Sequence, residues 1–331
     1  MLRGIGMAAM IVLAGAAARA QPVGAAGPPP VEGGGPIEVG IGFHIADFGR
    51  ITAREETFDV TAHLELHWRD PRLAGGKRTE GKMWIPLLYF DNAAEAPKPH
   101  AEPDIDVDDD GRVVYRSNLS GRFSTPLDLR KFPFDDQDLV VRISLADDLT
   151  EARFVPIAEC MTMHDDAFLT DWSVEDQTYR VGSRHYRTGG QEHGMLEYRV
   201  RVDRRSTFYA WRVLLPLTLL SLIPALVFWF EPVNLQPQIS TCMGTLIAML
   251  AFGYSVDFAL PKVAYLTMID RHALIGFLFA AMATIGVAMV HRRVTAGSIP
   301  DALKLQRRLR VLYPAAYGVV VGLSVSQLMA T

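Results

Sequence analysis

The sequence predicts an α+β multi-domain membrane protein: an extracellular or periplasmic Ig-like β-sandwich followed by a four-helix transmembrane bundle. Three observations carry this. Apolar and polar residues alternate repeatedly within 37–203, the period-2 signature of strands with one buried and one wet face. Four uncharged runs follow, Val213–Phe230, residues 232–256, Ala273–Val290 and Val311–Ala330, each long enough to cross ~30 Å of hydrocarbon. Charge divides at the same boundary: residues 204–331 hold 11 Lys or Arg against 4 Asp or Glu, which leaves −11 on residues 1–203 of a chain whose net charge is −4.

Residues 1–20 read as a secretory signal. Arg3 begins it, an apolar core follows, and Ala18-Arg19-Ala20 is a small-residue cleavage pattern before Gln21. Residues 21–36, with Pro28-Pro29-Pro30 and Gly33-Gly34-Gly35, read as a Pro/Gly-rich leader outside any folding unit. Loss of Arg3 and Arg19 with the signal leaves −13 on residues 21–203. A basic nucleic-acid surface is not indicated.

The β-sandwich is expected over 37–203. Phe58, Val60, Ala62, Leu64, Leu66 and Trp68 alternate with Asp59, Thr61, His63, Glu65 and His67. Leu139, Val141, Ile143 and Leu145 repeat the pattern, as do Leu196, Tyr198, Val200 and Val202. Turns are marked by Asp70-Pro71, Asp110-Gly111 and Gly189-Gly190. Asp106, Asp108, Asp110 and Gly111 match the first half of a calcium loop, but its twelfth position is Ser117, not Glu. The Asp-Gly pair equally suits a hairpin. No cofactor is therefore expected beyond weak Ca²⁺ modulation. The two cysteines, Cys160 and Cys242, lie in different halves of the chain and read as separate thiols.

The transmembrane region is expected from 204 to 331, with helices over about 207–230, 235–256, 265–291 and 307–330. Four spans put both ends of the mature chain on one side. The third connection carries His291, Arg292, Arg293, Lys304, Arg307, Arg308 and Arg310, so it is cytoplasmic by the positive-inside rule. The β-domain and the C-terminus are then periplasmic, in a multi-pass protein of the inner membrane. The run 232–256 has no charge yet contains Gln236, Gln238, Ser240, Thr241, Thr245 and Ser255, groups that need protein or water at membrane depth. At about 100° per residue, Gln236, Ser240, Gly244, Ile247, Ala251, Tyr254 and Phe258 share one stripe. From polarity alone this helix is either buried among neighbours or faces water.

Residues 125–139 hold the most specific signal. Phe132-Pro133-Phe134-Asp135-x-Gln137 resembles the signature loop of the pentameric ligand-gated ion channels, the Cys-loop receptors. The bridging cysteines of that family would fall at Thr125 and Leu139, and their absence resembles the bacterial type lacking the loop disulfide. Trp68-Arg69-Asp70-Pro71-Arg72-Leu73 and Trp84-Ile85-Pro86 resemble its early strand motifs. Arg204, Phe208-Tyr209 and Pro216 resemble its approach to the first membrane helix, and Leu260-Pro261-Lys262 the linker after the second.

The resemblance implies a homopentamer in membrane lipid, gated by a small-molecule agonist bound between β-sandwiches, with the second helix of each subunit lining the pore. It implies pore-lining roles for Gln236, Ser240, Gly244, Ile247, Ala251, Tyr254 and Phe258, with Asp257 and Glu231 at the mouths. A ring of Ile247 and Ala251 would gate by dewetting. Gating would pass through Phe132, Pro133, Phe134, Asp135, Arg204, Pro261 and Lys262, with Asp135 and Arg204 as a buried ion pair. The ligand positions are Tyr89, Phe90, Asp91, Asp147, His185 and Tyr186, with His63 from the neighbour; aromatics are sparse among them, so the ligand need not be a caged amine. Histidines titrate near neutral pH and could confer pH sensitivity. No Lys or Arg occurs from 213 to 261, which favours permeant monovalent cations. The alternative is a non-conducting membrane-anchored periplasmic ligand sensor of the same fold. An enzyme is not expected: no nucleophile elbow, phosphate loop or metal-spaced His/Cys cluster is present.

Overall fold

A computed structural model describes residues 29–30, 35–75, 83–164, 171–185, 192–257 and 263–330, without the side chains of 257 and 328–330. The expected signal, Tyr186, Phe258, Pro261 and Lys262 lie outside the described residues.

Among the described residues ten strands form two sheets. They are β1 (Ile37–Thr52), β2 (Thr57–Arg69), β3 (Leu88–Phe90), β4 (Lys98–Pro99), β5 (Asp104–Val107), β6 (Arg112–Ser124), β7 (Asp136–Asp148), β8 (Ala152–Pro156), β9 (Trp172–His185) and β10 (Glu192–Arg204). One sheet runs β4-β6-β2-β1-β8 with β5 also on β6; the other runs β3-β7-β10-β9. Period-2 alternation fixes which side faces in. Phe58, Val60, Ala62, Leu64 and Leu66 from β2 meet Leu196, Tyr198, Val200 and Val202 from β10 in one continuous core. A one-residue slip would expose that whole set, so the register is strongly specified.

The Trp68–Leu73 motif has a local cause. Asp70 is fully buried, and its carboxylate accepts from Arg72 Nε at 2.8 Å and Nη2 at 2.7 Å while capping the short helical turn Pro71–Leu73. Gly111, at φ +76°, lets the 108–111 hairpin lie against Asp70, where a Cβ would stand 2.5 Å from the Asp70 carbonyl oxygen.

Four helices follow: α1 (Thr207–Trp229), α2 (Leu235–Asp257), α3 (Met268–Thr295) and α4 (Ile299–Ala330). All four are long and apolar enough to cross a membrane. In α1 a π-type turn over Ala210–Leu214 precedes Pro216, and a 3₁₀ stretch begins at Ile223, before Pro224. Each proline removes one ladder donor, and the backbone rewinds to accommodate it. α3 begins at Met268 rather than 265, because Thr267 and Asp270 form a reciprocal capping box. α4 begins at Ile299 rather than 307, so its basic residues are helical. Only Ala296–Ser298 separates α3 from α4, with Gly297 at φ +80°. Apolar runs mark the part of a helix suited to lipid, and charged residues at its ends extend it further. α1 and α3 approach closely at Gly276, where a Cβ would land on Ser221 Oγ.

Candidate functional site: the domain junction and the second membrane helix

The loop between β6 and β7 sits on top of the helices. Leu127, Leu129 and Phe132 from this loop share one apolar cluster with Leu217 of α1, Met249 of α2 and Ile269 of α3. The loop is closed where a disulfide would otherwise close it: Thr125 Oγ1 donates to the Asp138 carbonyl at 3.0 Å, and Thr125 N–H donates to Glu56 O at 2.9 Å. Tyr265, just before α3, accepts from Leu129 N–H at 3.0 Å and donates to Leu127 O at 3.4 Å.

Under this loop the expected ion pair is present. Arg204 Nε and Nη2 donate to Asp135 Oδ1 and Oδ2 at 2.7 and 2.9 Å, with side chains 5 % and 1 % exposed. A bidentate charge-assisted pair is the geometry that offsets desolvation best. Gln137 Nε2 donates to Asp135 Oδ2 at 2.6 Å and to Asp128 O at 2.7 Å, so the carboxylate is held from both sides. The guanidinium also lies 4.0 Å from the ring centre of Trp172, 4.8 Å from Phe132 and 5.9 Å from Tyr209. This cage joins the end of β10, the start of β9, the loop and the start of α1. Phe132 and Pro133 are buried within it, while Phe134 points outward, 37 % exposed. Sequence reasoning missed Trp172, Tyr209 and Tyr265 as partners. Their signal was an aromatic beside each strand or helix end, which has meaning only once those ends converge.

α2 divides cleanly. Gln238, Cys242, Thr245 and Met249 are buried against the other helices, and Gln238 Nε2 donates to Glu231 O at 2.9 Å. On the opposite face Gln236, Ser240, Gly244 and Ala251 are exposed, with Ile247 65 % and Tyr254 68 % exposed. Glu231 is exposed at the turn between α1 and α2. An exposed stripe on a bundle helix is completed by lipid, water or further copies; its serine, glutamine and glycine make lipid the poorest of these.

The ligand candidates separate. Phe90 does not line a surface site: it alternates inward from β3 and is buried in the sandwich core, 6.0 Å from Phe123 ring to ring. Tyr89 faces the other way and is half-buried. Asp91 already holds an internal cation. Arg184 Nη1 donates to its Oδ2 at 2.9 Å and Ser144 Oγ donates to the same oxygen at 2.5 Å. His185 Nδ1 lies 2.9 Å from Glu192 Oε1 across the β9–β10 pair. Asp147 is half-buried, and burial first, then Glu151, raises its carboxyl above the usual range. Its Oδ2 is buried without a hydrogen-bond partner. His63 stands on the other sheet, so one protomer does not bring the candidates together.

The calcium candidates also separate. Asp106 pairs with Arg116 at 2.9 Å, and Asp108 Oδ1 accepts from Asp110 N–H and Arg112 N–H at 3.0 and 2.8 Å. The Asp108 carboxylate thus closes the hairpin turn. Among the described residues no group of three His, Cys, Asp or Glu is disposed to hold a metal.

Comparison with known proteins adds two findings. Residues 26–144 match the neurotransmitter-gated ion-channel ligand binding domain. A proton-gated ion channel of Gloeobacter violaceus is 29 % identical over 302 residues, covering 88 % of this chain and 83 % of that one. The similarity runs through both the sandwich and the helices and so spans the junction where Arg204 is caged. With the signature loop seated on four membrane-capable helices, both the fold and the sequence similarity of this chain are to the ligand-gated ion channels that the matched domain and the Gloeobacter protein represent.

Proposed function

We propose that the chain forms a homopentameric channel of the inner membrane, opened from its periplasmic β-domain and conducting monovalent cations through a pore lined by α2. The observation that carries this reading is the two-sided α2. Its inward face is packed, and its outward stripe is polar at Gln236 and Ser240 and apolar at Ile247 and Ala251. Five such stripes round an axis give a wettable inner half and a hydrophobic constriction. The absence of Lys and Arg from 213 to 261, together with the −13 on residues 21–203, supports cations. The C-terminus and β-domain share the periplasmic side because the basic residues of α3 and α4 flank the cytoplasmic turn.

The ligand reading leans to acid. The similar Gloeobacter protein is proton-gated by name, and the internal Arg184–Asp91 pair fills the position an amine would otherwise take. The agonist is accordingly the proton, acting on titratable groups of the β-domain. Purified protein in liposomes tests this. Cation flux rising as external pH falls, with a cation reversal potential, is expected. Intact pentamers without flux at any pH would instead fit the sensor alternative.

A further inference from the structure

A row of imidazoles crosses the outward face of the six-stranded sheet. His44 on β1 and His63 on β2 are direct cross-strand partners. Their rings stack, with centroids 5.6 Å apart and planes 18° apart. On the other side of His44 stands His164, 6.5 Å away ring to ring. The row continues past His63 to Asn118 of β6, which is hydrogen-bonded to His63 Nδ1. The ring of His100 is not part of this row: its Nε2 is hydrogen-bonded to Ser120 Oγ at 2.7 Å. Three of the chain's nine histidines, His164, His44 and His63, therefore adjoin one another.

The row also fastens a segment. His44 Nδ1 is hydrogen-bonded to Thr162 Oγ1 at 2.7 Å. Residues 157–164 follow β8 and dock on β1 through Ile45 N–H to Thr162 O at 3.0 Å and His164 N–H to Ile45 O at 2.8 Å. The rings help line an open pocket of about 340 Å³, with Glu65, Asn118, Cys160 and Thr162 among the other lining residues. Among the described residues, the charged and titratable groups round His44 are His63, Glu65 and His67 of β2, Arg116 of β6, and Glu159, Cys160 and His164 of the docked segment. Glu65 is engaged by His67 Nε2 at 2.6 Å and lies near Arg116 at 3.8 Å, so it is not a counter-ion held for His44 alone.

We infer that the row His164–His44–His63 is a proton-binding site whose protonation releases the 157–164 segment from β1, and that it supplies the channel's acid response. The inference rests on the acid-gated reading above. With the segment docked, His44 is half-buried between two other imidazoles. Charge on either neighbouring ring then disfavours charge on His44, and the docked state favours a neutral His44. Undocking hydrates the rings and separates them. Protons therefore bind the released state more tightly, and each imidazole whose affinity differs between states shifts the balance in the same direction. Burial, then His63, then His164 hold His44 below the ordinary imidazole value, in the sense this requires.

The test uses the full-length protein in liposomes. Hydrogen exchange at the Ile45 and His164 amides, corrected for intrinsic rate, is followed from pH 8 to pH 5 beside cation flux. In the wild type, protection of both amides falls by about tenfold or more across that range. His44→Gln with His63→Gln flattens this response and moves half-activation to lower pH by about one unit. His164→Gln, at an exposed position, gives a partial shift and serves if the double variant assembles poorly. Acid-induced release that persists unchanged in these variants, or no release in the wild type, overturns the inference. The two readings fail separately. Release without flux sinks the channel reading and leaves the row standing; acid-gated flux with flat exchange sinks the row alone.

Discussion

Removing the Arg204 guanidinium is the most direct test of the junction. The Asp135 carboxylate is 1 % exposed and accepts two of its charge-assisted bonds from Arg204, at 2.7 and 2.9 Å. In Arg204→Gln the carboxylate keeps Gln137 and loses the counter-charge that Arg204 supplies. An uncompensated buried charge costs ~3–5 kcal/mol. Asp135→Asn leaves the guanidinium unpaired over Trp172, where the aromatic rings stabilise a cation by only about 0.5–2 kcal/mol. That variant should therefore lose slightly less. The double variant removes both charges and should lie well above the sum of the two singles, with a coupling of roughly 1–3 kcal/mol. The assay is thermal unfolding of the detergent-solubilised protein. For a domain of this size ~2–4 °C accompanies each kcal/mol, so each single variant should lose on the order of 10 °C. Strictly additive losses would refute direct pairing, as would an Arg204→Gln protein with wild-type stability. Acid response measured on the same variants reports whether the pair also transmits gating.

Three further outcomes follow from the geometry. Tyr265→Phe removes the acceptor for Leu129 N–H and should destabilise by ~1–3 kcal/mol, with a right-shifted acid response in flux assays that is absent if the loop does not transmit. Ile247→Ser should wet the constriction and produce cation leak at neutral pH; a leak-free variant would place the barrier elsewhere. Asp147→Asn should raise the melting temperature at pH 7. A carboxyl whose folded pKa is raised contributes stability below its unfolded value and loses it as pH rises through the folded value, so the advantage of the amide should vanish as pH falls into the ordinary carboxylate range. An advantage independent of pH would contradict the burial of that group.

The sandwich was legible because period 2 is a backbone property: β2 and β10 alternate through most of their lengths, and the expected inward residues of β7 are buried, with Val140 and Ser144 buried as well from its other face. The membrane helices were legible as apolar runs, though their ends were not, because Thr267 and the basic residues of α4 extend or cap helices without being apolar. The Asp135–Arg204 pair came through family resemblance, not spacing, since 69 residues separate its partners. Its aromatic cage was invisible for the same reason. Phe90 failed as a ligand residue because an aromatic next to Asp91 looks equally suited to a cage or a core, and only strand direction separates them. The Arg184–Asp91 pair and the histidine row depend on cross-strand register, which a single sequence leaves open wherever loops are long.

The three-residue turn at Ala296–Ser298 ties two helices of 28 and 32 residues. At 1.5 Å per residue they are about 42 and 48 Å long, against ~30 Å of hydrocarbon. Their Arg- and Lys-bearing ends must therefore stand among headgroups, and the pair cannot shorten except by leaning. A thinner bilayer would tip both helices as one unit, and α3 shares Ile269 with the cluster beneath the signature loop. A change of bilayer thickness would then reach, through α3, the same junction that the β-sandwich meets from above.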